Sequence, residues 1–167
     1  VVQDIFLTET AKLADVVFPA TCYAEKEGTF TNTERRVQRV RKAVNPPGEA
    51  RLDYQMLCEV AKGLGGTGFD YRSAEDIFEE MRVTMPSYRG MSYERLGTVG
   101  LCWPCPTEEH PGTPVLHKGT FPIGKGVMIP VEYEPPAELT CEEYPILLST
   151  GRMLYHYNIM TRHSKSL

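Results

Sequence analysis

Acidic and basic side chains stand alone at the ends of several predicted strands and helices. Asp4 closes the first apolar stretch, Asp53 lies at the start of a predicted helix, and Lys26 lies in the loop between them. Arg152 and His156 follow an apolar run near the end of the chain. A carboxylate can accept two hydrogen bonds from the N1–H and exocyclic amine of guanine, while Lys and Arg can offset the charge of a diphosphate. These are therefore the residue types that a guanine nucleotide requires.

Each of these residues also has a purely structural interpretation. Asp4 can cap a turn, and Asp53 can serve only as a negative charge that favours a helix N-terminus. Lys26 lies between Glu25 and Glu27, as an ordinary surface lysine would. Taken one at a time, the residues leave both interpretations open.

Other chemistries find less support in the sequence. Cys102 and Cys105 form a CxxC pair, but a structural zinc site needs two more ligands, and His110 and His117 match no standard spacing. No HExxH motif, GxSxG elbow or P-loop is present. We therefore predict no metal site, and we expect reduced thiols at all five cysteines, which are Cys22, Cys58, Cys102, Cys105 and Cys141.

Composition places the chain among ordinary globular proteins. It has 167 residues, of which 41% are hydrophobic and 24% charged, with a net charge of −4. The negative charge argues against general binding to nucleic acid or to anionic membranes. No apolar run approaches the roughly 20 residues that span a bilayer. Because the sequence opens without Met and directly with a strand-like segment, we expect an interior piece of a longer protein.

The patterning predicts alternating strands and helices in the first part of the chain. Residues 1–5 and 15–18 are predicted strands that flank a short helix capped by Thr8, which favours a parallel sheet. A loop is predicted at 22–36. The extended segment that follows is cleanly apolar on neither side, so it is predicted to be exposed or to lie against a polar ligand.

Helices dominate the middle of the predicted fold. Residues 51–64 form an amphipathic pattern, with Leu52, Met56, Val60 and Leu64 at four-residue spacing. A second helix starts at Ser73, and a short one is predicted within 91–100. The Pro- and Gly-rich stretch 101–138 reads as a long connection outside the core.

Three long segments, in order, resemble one enzyme family. VVQDIFLTETAKLADVVFPA, EKEGTFTNTERRVQRVRKAVNPPGEARLDYQ and EYPILLSTGRMLYHY are similar to successive parts of the catalytic (alpha) subunit of formate dehydrogenases, in the molybdopterin (dimethyl sulfoxide reductase) family. Nitrate reductases are related members. The resemblance covers nearly the whole chain.

The resemblance implies an α/β fold in three parts. Residues 1–100 would be the C-terminal part of a dinucleotide-binding-like, parallel-sheet domain that binds the molybdopterin dinucleotide. Residues 101–143 would be a linker, and residues 144–167, with a strand at 145–149, would begin a C-terminal β-barrel domain.

The resemblance also implies a cofactor and its contacts. The family holds molybdenum or tungsten between two molybdopterin guanine dinucleotides, and a 4Fe-4S cluster would be bound elsewhere in the parent protein. Asn32, Glu34 and Arg36 match a family motif, with a role in ordering the loop or in direct contact. The implied cofactor-binding residues are Gln3, Asp4, Lys26, Asp53, Thr150, Gly151, Arg152, Met153 and His156.

The activity implied by the resemblance is the oxidation of formate to carbon dioxide, with two electrons passing to an acceptor. The family's metal-ligating Cys or selenocysteine and its catalytic residues match nothing in this chain, so we assign no catalytic residue and expect the piece alone to be inactive. Expected partners are the rest of the same subunit and electron-transfer subunits, in the cytoplasm, without nucleic acid or membrane contact. A nitrate reductase and a non-catalytic assembly subunit are the alternatives.

Overall fold

The computed structural model describes residues 1–151, so the predictions for Arg152, Met153 and His156 lie outside the described residues. The chain divides into two compact units, Val1–Pro122 and Ile123–Leu167. The first unit combines helices with one small parallel sheet and one antiparallel sheet. The prediction of a mixed α and β fold with parallel strands is therefore confirmed.

The parallel sheet is built from a β-α-β unit at the start of the chain, namely β1 (Val2–Asp4), α1 (Glu9–Lys12) and β2 (Val17–Pro19). β1 and β2 pair in parallel, with Val2 opposite Val17 and Asp4 opposite Pro19. The hydroxyl of Thr8 accepts a 3.2 Å hydrogen bond from the backbone N–H of Ala11, as predicted for the cap of this short helix.

A third extended segment continues this parallel arrangement. Ala20 and Arg51 form a parallel bridge, and the N–H of Arg51 donates to the carbonyl of Pro19 at 3.0 Å. Helix α2 (Asp53–Gly63) begins two residues after Arg51. The bridge therefore carries the N-terminus of α2 to the carboxyl end of β2, which is the edge of an α/β sheet where ligands bind.

An antiparallel sheet follows, in the order β3 (Gly28–Thr31), β4 (Arg36–Val40) and β5 (Leu101–Cys102). The predicted loop at 22–36 is wrong over β3, which pairs with β4 along its whole length. The next segment is extended as predicted, and its Gln38, Arg41 and Lys42 are exposed, but its Val37 side chain is almost fully buried. A strand is recognised from apolar and polar residues that alternate with a period of two. These strands lack a clear alternation, because polar Arg, Gln and Thr residues occur on both of their sides.

The core lies where β4 meets helices α3 (Ala74–Thr84) and α4 (Tyr93–Leu96). A serine caps the N-terminus of each helix. The Ser73 hydroxyl accepts from the Asp76 N–H, and the Ser92 hydroxyl accepts from the Arg95 N–H. The buried side chains that form the core cluster are Val37, Phe78, Met91, Tyr93, Leu96 and Cys105.

Part of the predicted connecting segment packs into this core. Cys102 and Cys105 are buried, and Leu101 and Trp103 pack against the cluster. The guanidinium of Arg95 holds the segment in place by donating to the carbonyls of Gly90 and His110, the latter at 2.8 Å. These residues therefore contribute core side chains as well as a connection.

Large apolar side chains remain exposed on the first unit. On α2 only Met56 is buried, whereas Val60 and Leu64, from the same predicted stripe, are 43% and 85% exposed. Phe6, close after β1, and Leu13, directly after α1, are 71% and 88% exposed. Apolar surface of this extent is typical of a region that packs against other protein. No helix within residues 1–151 has the length and apolar character needed to cross a membrane.

The second unit is irregular where it is described. Residues 123–151 contain no helix or strand, and the N–H of Cys141 donates to the Tyr144 carbonyl at 3.1 Å. The predicted strand at 145–149 is therefore not formed, and residues 123–151 supply no neighbouring strand with which it could pair. Thr150 and Gly151, two of the predicted cofactor contacts, are exposed.

Candidate functional site

Three of the predicted nucleotide-binding residues meet at one point of the first unit. The side-chain amide of Gln3 donates to Oδ1 of Asp53 at 2.7 Å. The ammonium of Lys26 donates to the other carboxylate oxygen, Oδ2, and to the backbone carbonyl of Thr21 at 3.1 Å. We call Gln3, Lys26 and Asp53 the Asp53 cluster.

Each member of the Asp53 cluster comes from a different element. Gln3 is the central residue of β1, and Asp53 is the first residue of α2. Lys26 follows a 3-10 turn at Tyr23–Glu25, in which the Glu25 carboxylate accepts from the N–H of Cys22 at 3.0 Å. The parallel pairing of β1 with β2, and of Ala20 with Arg51, brings these elements to one edge.

The cluster holds Asp53 as a carboxylate. Partial burial by itself raises the pKa of Asp53, but the hydrogen bonds from Lys26 and Gln3 and the charge of Lys26 outweigh it, so the pKa lies below its ordinary value of 3.8. The N-terminal position in α2 favours the same charged form. The side chains of Lys26 and Asp53 are 29% and 36% exposed, so both remain within reach of a ligand.

A cavity of about 330 Å³ adjoins the cluster. Lys26 and Asp53 form part of its wall, together with Glu27. The hydroxyl of Tyr93, another wall residue, is buried without a hydrogen-bond partner among the described residues. The remaining wall is mostly apolar and includes Phe30, Val40, Leu52, Ile77, Phe78 and Met81.

Asp4 lies one residue beyond Gln3 but belongs to a different arrangement. Its carboxylate accepts from the N–H of Phe6 at 3.0 Å, and its backbone carbonyl accepts from the N–H of Ala20 at 3.1 Å. The side-chain contact is that of a turn-capping aspartate, which is the structural alternative that the sequence left open.

Asn32, Glu34 and Arg36 order the turn between β3 and β4. The Asn32 side-chain carbonyl accepts from the N–H groups of Glu34 and Arg36, at 3.1 and 2.9 Å. Glu34 accepts from Arg36 at 2.8 Å and from Asn32 at 3.1 Å, and these bonds lower the pKa of its carboxyl. The loop-ordering role predicted as one alternative is thus present in the structure.

Thr21 is a site neighbour that the sequence did not indicate. Its side chain is 2% exposed, its carbonyl accepts from Lys26, and its hydroxyl has no partner within residues 1–151. Nothing in the local sequence marks a threonine for this position, because the contact depends on the fold. Within the same residues, no group of three or more His, Cys, Asp or Glu side chains could hold a metal ion.

Comparison with known proteins places the chain in a family. The family described as Molybdopterin oxidoreductase matches residues 1–63. The alpha subunit of F420-dependent formate dehydrogenase 2 from Methanococcus maripaludis is 57% identical over all of this chain, which corresponds to 25% of that protein. The alpha subunit of F420-dependent formate dehydrogenase from Methanocaldococcus jannaschii is also 57% identical, over all of this chain and 26% of that protein.

A relative with lower sequence identity is a nitrate reductase subunit. The assimilatory nitrate reductase catalytic subunit of Bacillus subtilis is 45% identical over 98% of this chain and 25% of that protein. The chain therefore spans about a quarter of the length of these curated relatives. It belongs to the molybdopterin oxidoreductase family, as predicted, and membership implies a molybdopterin cofactor with molybdenum or tungsten.

Proposed function

We propose that this chain is a segment of a formate dehydrogenase catalytic subunit and that it binds a guanosine end of the molybdopterin guanine dinucleotide cofactor. The observation that carries the proposal is the Asp53 cluster, at the edge where β1, β2 and the Arg51 segment end. The identity of 57% with formate dehydrogenase alpha subunits favours formate as the substrate of the whole protein.

The donor and acceptor groups of the cluster fit a guanine base. An ionised carboxylate offers about four lone-pair positions. Gln3 uses one on Oδ1 and Lys26 uses one on Oδ2, and the backbone N–H of Asp53 also donates to the carboxylate. The N1–H and exocyclic amine of guanine supply two parallel donors, the arrangement that the two oxygens of a carboxylate can accept.

The residues of this chain would act by holding the cofactor in place. Asp53 would orient one base, and fixing the nucleotide end also limits the movement of the reacting end, where small displacements are costly. The bound cofactor supplies the redox chemistry, in which formate loses two electrons and a proton to become carbon dioxide. The groups that contact formate would lie in other parts of the subunit.

The finer assignments of the fold and partners belong to the same proposal. Residues 1–100 would complete a dinucleotide-binding-like domain, 101–143 would link it to the next, and 144–167 would enter a β-barrel. In the whole subunit Asp4, Thr150, Gly151, Arg152, Met153 and His156 would add cofactor contacts. A 4Fe-4S cluster and electron-transfer subunits would belong to the parent protein, in the cytoplasm.

Nitrate reduction is the second candidate. It is supported by the 45% identity with an assimilatory nitrate reductase catalytic subunit over nearly the same residues. A non-catalytic assembly subunit would keep the same fold without a metal ligand. The residues that bind metal and substrate in the parent protein would distinguish these possibilities.

Calorimetric titration of the chain with GDP tests the nucleotide site. We expect GDP to bind, and we expect the Asp53→Asn variant to bind at least about 10-fold more weakly, since hydrogen bonds to charged groups are worth about 1.5–3 kcal/mol. Asp15→Asn, which changes the net charge equally at an exposed position, is the matched control. Equal GDP affinity for the Asp53→Asn variant and the unmodified chain would rule out Asp53 as the base-reading residue.

A further inference from the structure

The carboxylate of Asp53 is held from two sides by groups that are themselves fixed. Lys26 has three N–H donors, and two of them are engaged, one by Asp53 and one by the Thr21 carbonyl. Thr21 is 2% exposed and therefore offers a rigid anchor. The Lys26 ammonium thus has little freedom to follow a ligand.

Gln3, on β1, fixes the other oxygen of the Asp53 carboxylate. Its amide nitrogen lies 2.7 Å from Oδ1, while Lys26 contacts Oδ2. A carboxylate with one donor on each oxygen cannot rotate about its terminal bond without breaking a hydrogen bond. The plane of the Asp53 carboxylate is therefore set by β1 and by the loop that carries Lys26.

We propose that Lys26 and Gln3 are positioning residues, which hold the Asp53 carboxylate in one orientation and act on a bound guanine through Asp53. This assignment replaces direct contact between these two side chains and the dinucleotide. It rests on the proposed function for the identity of the ligand, but the contacts that define it lie entirely within the chain.

Lys26 is the cation that stabilises the ionised form of Asp53, because the other charged groups nearby have other partners or positions. Arg51 precedes α2 but is paired with Glu59 through both guanidinium amino groups. Glu25 accepts from the N–H of Cys22, and Glu27 lines the cavity beside Lys26. Among the described residues, Lys26 is the charged group that acts on Asp53, and it favours the ionised form.

The test compares Lys26→Met and Gln3→Leu with the conservative variant Lys26→Arg. The Asp53 carboxyl is titrated by ¹³C NMR in chain labelled at aspartate, with Asp53→Asn used to assign the signal. Affinities for GDP and for guanosine are measured by calorimetry, because guanosine has the same base without phosphate. Thermal unfolding confirms that each variant is folded.

A positioning role predicts that Lys26→Met raises the pKa of Asp53 and weakens GDP and guanosine binding by the same factor, about 10-fold or less. Lys26→Arg should largely restore both readouts, and Gln3→Leu should shift them in the same direction as Lys26→Met. Loss of GDP affinity with unchanged guanosine affinity would show direct contact with the diphosphate and overturn the proposal.

An unchanged Asp53 titration in both Lys26→Met and Gln3→Leu would also overturn it. The NMR readout separates this proposal from the proposed function. If no variant and not even the unmodified chain binds GDP or guanosine, while the Asp53 titration still shifts in Lys26→Met, the positioning role stands and the guanosine assignment fails.

Discussion

Gln3 and Asp53 are 50 residues apart in the sequence, and a 2.7 Å hydrogen bond joins their side chains. The bond connects the middle of β1 to the first residue of α2. Two parallel pairings lie between these elements, β1 with β2 and Ala20 with Arg51. The candidate nucleotide site is therefore a product of sheet assembly, so its integrity reports on the fold of the first unit.

The stability of the chain should fall in acid, partly through Asp53. Its pKa is lower in the folded chain than its ordinary value of 3.8, so the unfolded chain binds the proton more readily. The resulting stabilisation is present above pH 3.8 and is lost as the pH falls below that value. Asp53→Asn should therefore lose less stability than the unmodified chain between pH 5 and pH 3, as measured by urea denaturation.

The expected difference for Asp53 is at most about 1 kcal/mol, because solvent screens a pair that is about one-third exposed. Asp15→Asn, which removes the same charge at an exposed position outside the Asp53 cluster, is the control. Parallel acid curves for Asp53→Asn and the unmodified chain would show that the ion pair does not stabilise the fold.

The turn between β3 and β4 should depend on Asn32. Its side-chain oxygen accepts two backbone N–H groups, and Arg35 within the turn has a φ of 67°. Asn32→Ala should lower the free energy of unfolding by about 1 kcal/mol, because it removes these bonds at an exposed site. Thr33→Ala, at the neighbouring exposed position, should change it by less than about 0.5 kcal/mol. Chemical denaturation measures both, and equal effects would contradict the role of Asn32.

Gly100 should not tolerate a side chain. It has a φ of +80°, and a Cβ there would lie 2.3 Å from the Val37 carbonyl oxygen. Gly48 also has a positive φ, at +52°, but a Cβ there would meet nothing within 4 Å. We expect Gly48→Ala to cost about 1 kcal/mol from backbone strain and Gly100→Ala to cost about 2–4 kcal/mol from strain and overlap.

Thermal or urea unfolding of the two glycine variants provides the comparison. Because both residues lie in the left-handed region, the difference between the variants isolates the steric contact of β4 with the start of β5. A Gly100→Ala protein as stable as Gly48→Ala would mean that this contact relaxes without cost.

The exposed apolar residues should cause the isolated chain to self-associate. Leu13 and Leu64, the residues directly after α1 and α2, are 88% and 85% exposed. Sedimentation velocity over a range of concentrations should show association, and Leu13→Glu with Leu64→Glu should weaken it. Thr33→Glu with Asn45→Glu adds the same charge at exposed polar positions and should leave association unchanged. A monomer at every concentration would contradict this prediction.

Local signals predicted the helices well because their causes are local. Ser73 caps α3 and Thr8 caps α1 through contacts with residues three positions away. The stripe on α2 was predicted with the correct period, yet only Met56 of that stripe is buried. Periodicity identifies which side of a helix is apolar, but burial depends on what packs there.

β3 and β5 were not predicted, and β4 was predicted only as an extended segment, because the pairing that defines these strands is not local. β5 consists of two residues, which pair with Arg36 and Val37 more than sixty positions earlier. No periodic pattern can be read from two residues, and the polar residues of β3 and β4 obscure the alternation there. The hydrogen bonds of distant partners define these strands.

By itself, the sequence determined the family and the helices, whose caps and apolar periods depend on neighbouring positions, and it supplied the residue types of the candidate nucleotide site. The tertiary structure decided which of these residues meet. It joined Gln3 and Lys26 to Asp53 and left Asp4 to cap a turn. The physical reason is that a side-chain hydrogen bond requires its two groups within about 3 Å, and only the pairing of distant strands brings residues from separate segments so close.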